Sequence, residues 1–146
     1  MNILLCESRF MILANRIGVV STAKLTAWAD EKVLSTDEPP SFIIDIALGE
    51  IPVNPEELDF IRNEASDAEI SRLARLILET LNRTADLNEF GFHCYQLALI
   101  SKGRASELLH WVSDEIHLCS EGVKSLSESE PSIRDALNEI VALAPN

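Results

Sequence analysis

The apolar residues of this chain recur at spacings of three and four, and that pattern limits the fold more than any other feature. The clearest run is Ile70, Leu73, Ala74, Ile77, Leu78 and Leu81. At about 100° per residue these positions line one side of a helix. A strand needs period-two alternation, and no run of the sequence supplies it. The spacing predicts an all-α protein, a compact bundle of seven to eight mostly antiparallel helices, because short links favour antiparallel neighbours. At 146 residues, one domain spanning 1–146 is expected, long enough to bury its own core.

Local signals set the helix ends. Ile3, Cys6, Phe10, Leu13 and Ile17 form a stripe over 3–17, with Glu7, Arg9 and Arg16 expected to reach water. Gly18 is its stop. Ser21 is placed to cap a helix over 22–35, with Leu25, Trp28, Ala29 and Val33 inward. Pro39 and Pro40 end that helix and start a short one over 40–48, closed by Gly49. Asn54-Pro55-Glu56-Glu57 and Ser66-Asp67-Ala68-Glu69 are helix starts, the second a capping box. Asp86 with Glu89 opens a helix over 87–101. That helix is apolar on most sides and is expected to be buried. A further helix covers 105–120, and the last opens at Ser132 after Pro131. The serine-rich stretch 122–131 reads as a loop.

The early run Ile3-Leu4-Leu5-Cys6 has no room before it for a basic region, so no signal peptide is expected. No stretch approaches the ~20 apolar residues of a membrane span. Cys6, Cys94 and Cys119 are odd in number and widely spaced. They predict no disulfide framework and a cytoplasmic, reducing setting.

Charge is concentrated in one place. The chain carries a net charge of −12. Residues 1–29 hold net +2, residues 30–69 net −10 and residues 70–146 net −4. The acids of the middle segment are Asp30, Glu31, Asp37, Glu38, Asp45, Glu50, Glu56, Glu57, Asp59, Glu64, Asp67 and Glu69, opposed by Lys32 and Arg62. Such a segment can serve solubility alone as a solvated face, or it can dock a basic partner. It disfavours nucleic acid and anionic membranes, whose phosphates it repels.

No phosphate-binding glycine loop, nucleophile elbow, zinc spacing or calcium loop is present. Glu107, His110, Asp114 and His117 stack on one helix face and are competent metal ligands. They lie away from the apolar side of their helix, so a water-facing stripe is the simpler reading. His93, Cys94 and Tyr95 are consecutive, and consecutive helical residues do not face one another. Cys94 is expected to be an inert core thiol, and Cys6 to be core. Gly91, inside a helix, suggests close packing of a neighbour. Trp28 and Trp111 are the aromatic residues to check for exposure.

These observations point to a non-enzymatic acidic protein-interaction module that uses no cofactor and binds, and inhibits, a basic protein. The expected contact residues are Asp30, Glu31, Asp37, Glu38, Glu56, Glu57, Asp59 and Trp28. Small acidic bacterial immunity proteins that neutralise nuclease toxins offer a precedent in fold and charge alone. The other readings are a helical adaptor using an apolar groove and a small metal-binding bundle using Glu107, His110, Asp114 and His117. Homo-oligomerisation is compatible with all three.

Overall fold

The computed structural model describes residues 3–50, 65–83 and 86–144. Among them all regular structure is helical, in seven helices: α1 (Ile3–Ile17), α2 (Thr22–Ser35), α3 (Ser41–Ala47), α4 (Asp67–Arg83), α5 (Leu87–Leu99), α6 (Gly103–Ser120) and α7 (Leu126–Val141). The all-α expectation is met. The Asn54-Pro55 start signal lies outside the described residues. The chain divides into two compact units, Met1–Asn63 and Glu64–Asn146.

In the first unit, α2 packs on α3 and more lightly on α1. Ser21 caps α2 as its sequence promised, its Oγ accepting from the Lys24 N–H at 3.1 Å. Leu25 and Ala29 are buried on α2, as are Ile43 and Ile46 on α3. Past Ile17, Gly18 takes φ +92°, a left-handed turn that costs a glycine little. Two expectations for α1 fail. Cys6 is exposed, and Arg9 is buried. The apolar stripe is buried only from Phe10 onward, and Ile3 stands in water. Periodicity gives the direction of a side chain, but not how far along the helix a neighbour covers it.

The second unit is an up-and-down four-helix bundle in which α4 touches α5, α5 touches α6, α6 touches α7, and α7 returns to α4. Side chains cap the starts of α4, α5 and α7. The Ser66 N–H donates to Glu69 Oε1 at 2.9 Å, and the Glu69 N–H donates to Ser66 Oγ at 3.2 Å, a reciprocal capping box. The Glu89 N–H reaches Asp86 Oδ1 at 3.1 Å. Ile70, Leu73, Ala74, Ile77 and Leu81 are buried along α4. Gly91 sits where a Cβ would stand 3.0 Å from Ile116 Cγ2, so α5 and α6 approach closely there, as its mid-helix position suggested.

The last helix begins earlier than expected. It starts at Leu126, with Ser125 as its cap and Pro131 inside it, so most of the anticipated 122–131 loop is helix. Ser125-Ser127-Glu128 carries the serine-to-glutamate spacing of a capping box, and the Glu128 N–H donates to Ser125 Oγ at 3.4 Å. Pro131 is the sixth residue of α7, past its first turn, so the helix forgoes the hydrogen bond that an N–H there would give the Ser127 carbonyl.

Candidate functional site

The C-terminal half of α2, the link to α3 and α3 itself carry the described part of the acidic segment. Asp30, Glu31, Asp37, Glu38, Asp45 and Glu50 are all exposed. None of the six makes an ion pair among the described residues. The basic residue between them, Lys32, is engaged elsewhere: its Nζ lies 3.1 Å from Glu7 Oε2 on α1. The local charge of residues 30–50 is therefore left without a counterion among the described residues. Asp37 and Glu38 follow the C-cap Thr36, where the carbonyl ends of α2 already make the potential negative. Trp28 is half-buried on the same helix. Glu56, Glu57, Asp59 and Glu64 lie outside the described residues.

Asp67 and Glu69, counted in the same acidic segment, have another use. They occupy the first turn of α4 in the second unit, where negative charge meets exposed N–H groups and stabilises the helix. Sequence counting merged two kinds of acid that helix boundaries separate.

The stripe on α6 is exposed at all four positions, Glu107, His110, Asp114 and His117, as its position away from the apolar side implied. Its members diverge. Over ten residues the helical rotation leaves His117 roughly 80° from Glu107. His110 meets the Tyr95 ring of α5, with centroids 6.0 Å apart, and His117 lines a groove with Phe92 and Tyr95. Glu107 faces the other way, into a groove shared with α7. Among the described residues no three His, Cys, Asp or Glu side chains converge to hold a metal.

His93 and Cys94 are buried while Tyr95 is exposed. Burial pushes the Cys94 thiol well above its ordinary range, which suppresses the thiolate needed for nucleophilic attack. His93 Nε2 lies 3.6 Å from Glu89 Oε1, one turn back on α5.

Two features were missed by sequence reasoning. Glu115 is buried on α6. Lys124 Nζ donates to its Oε1 at 2.7 Å and Ser129 Oγ to its Oε2 at 3.1 Å. The hydrogen bond from Lys124 holds this carboxyl below the usual range, against the opposing pull of burial. Its place beside Ile116 on the buried face of α6 was the available signal. The second feature is a stripe of exposed apolar residues on α5, namely Phe92, Tyr95 and Leu99. A helix apolar on most sides was expected to be buried, yet this side of α5 is open. Comparison with protein-family models, curated proteins and solved structures finds no match to the chain.

Proposed function

We propose that this protein is a non-enzymatic, acidic interaction module of the cytoplasm that binds a basic protein and inhibits it, in the manner of an immunity protein or antitoxin. One observation carries the reading: six exposed acids within residues 30–50 make no ion pair among the described residues, and Lys32 is held by Glu7. Concentrated like charge destabilises the structure that bears it. A basic partner would relieve that repulsion and would be drawn in by long-range steering. No helix among the described residues is long and apolar enough to cross a membrane. The odd number of cysteines supports a reducing setting.

A tagged pull-down from the source cells at low and high salt tests this, run beside a charge-reversed variant, Asp30→Lys/Glu31→Lys/Asp37→Lys/Glu38→Lys. A basic protein should be retained by the wild type at low salt, weakened at high salt and lost to the variant. With the captured protein purified, its association rate with the variant should fall by about tenfold or more. Equal capture by both proteins at both salts would refute the reading.

The exposed Phe92, Tyr95 and Leu99 favour a second reading, an adaptor that meets an apolar protein surface through α5. It expects binding that is insensitive to salt and to the four reversals, and that is lost on Phe92→Ser.

A further inference from the structure

The groove between α6 and α7 combines groups that packing of the two helices does not require. It has a volume of about 450 Å³ and is lined by Leu108, Trp111 and Ala136 together with charged residues from both helices. Trp111 is 41% exposed there, a large aromatic surface left in water. Glu107 and Asp135 contribute exposed carboxylates and make no ion pair among the described residues. In the same groove the Arg104 Nε donates to Glu139 Oε2 at 3.1 Å, bridging the helices. Three carboxylates thus share the groove with one guanidinium, leaving it net negative beside an open indole.

We propose that this groove binds an arginine side chain presented by a segment of a basic protein. A guanidinium is flat, permanently charged and forked, so one group can lie against the Trp111 ring and still donate to Glu107 and Asp135. The indole is the best of the aromatic faces for a cation, and Leu108 and Ala136 offer apolar surface to the methylene stem. An ammonium lacks the planar fork, so lysine binds more weakly in the same place. The Arg104–Glu139 pair is the same chemistry already formed within the groove. The inference is carried by the second unit alone and stands or falls independently of residues 30–50.

The two tryptophans allow the two regions to be read separately. Trp28 lies beside Asp30 and Glu31, and Trp111 lies in the groove. An octa-arginine peptide is titrated into the full chain at about 0.15 M salt, where long-range attraction is screened beyond ~8 Å. The indole N–H signals are followed by nuclear magnetic resonance and assigned with Trp111→Phe. The Trp111 signal is expected to move and saturate. The Glu107→Gln/Asp135→Asn variant should weaken the affinity read at Trp111 by roughly fivefold or more, the loss of two partly exposed ion pairs. Octa-lysine should bind there more weakly than octa-arginine.

If only the Trp28 signal moves, the peptide sits on the acidic segment and the groove proposal is overturned. A Trp111 shift that persists unchanged in the double variant overturns it as well. Movement at Trp111 with Trp28 still supports the groove and counts against the acidic segment as a docking site.

Discussion

The two units use the same residue types in opposite ways. In the second unit, four acids sit at helix starts: Asp67 and Glu69 on α4, Glu89 on α5 and Glu128 on α7. There they oppose the positive end of a helix dipole, and the Glu69 carboxylate also accepts from the Ser66 N–H. In the first unit, Asp30 and Glu31 lie in the C-terminal half of α2, and Asp37 and Glu38 follow its C-cap. There Asp37 and Glu38 add negative charge to a negative end. Folding accounts for the first set and is opposed by the second. An acid that works against its own helix is the better candidate for a role in binding.

The comparison can be sharpened first by loading the best-packed contact of the second unit. Gly91→Val would push two methyl groups beyond a Cβ that already stands 3.0 Å from Ile116 Cγ2. Overpacking of this kind costs about 1–3 kcal/mol, read as a lower midpoint in chemical denaturation. Gly91→Ala should be near neutral, because its helix propensity gain of about 1 kcal/mol offsets the tight contact. Equal midpoints for the two variants would show that α5 and α6 yield easily, and that this interface is looser than the distance implies.

A smaller effect comes from the buried carboxylate. The Glu115 carboxyl is lower in the folded state than its unfolded value, first because of the Lys124 hydrogen bond. Its contribution is therefore present above the unfolded value of about 4.3 and lost as pH falls through the folded one. Lys124→Met should destabilise the protein at pH 7 by about 1 kcal/mol, a modest figure because the ammonium is partly in water. The gap between wild type and variant should narrow as pH falls below that unfolded value and through the lower folded one. A gap that did not narrow at any acid pH at which both proteins stay folded would mean that the Lys124–Glu115 pair is not its source.

Much of this was legible in the sequence, for identifiable reasons. The stripe on α4, the Ser66–Glu69 box, the Asp86 cap and the stop at Gly18 are local features, set by residues within one or two turns of each other. What failed in α1 depended on contacts far away in sequence. Arg9 was assigned to water and Cys6 to the core by a helix face, but coverage by a neighbour decides burial. The start of α7 at Leu126 was hidden because Pro131 looked like a boundary while Ser125 with Glu128 was the stronger signal. The same limit applies to function. Exposure of Asp30, Glu31, Asp37 and Glu38 was anticipated, whereas the grouping of Trp111 with Glu107 and Asp135 requires α6 and α7 to be brought together.

The smallest effect is the one that tests the comparison most directly, because its sign differs between the units. Ser66→Ala removes half of the capping box on α4 and should cost about 1 kcal/mol. Asp37→Asn/Glu38→Gln removes charge from beyond the C-terminus of α2 and should stabilise by a few tenths of a kcal/mol, up to about 1. Added salt should shrink the second gain by screening the repulsion, while leaving the hydrogen-bonded cap largely intact. Hydrogen exchange of the amides in α2 and α4 reads each change where it occurs. If neutralising Asp37 and Glu38 instead destabilises α2, those acids support their own helix, and the reason for assigning them to a basic partner disappears. If it stabilises α2, the protein carries charge that its fold would be more stable without, and docking of a basic partner stands beside solubility as a use for it.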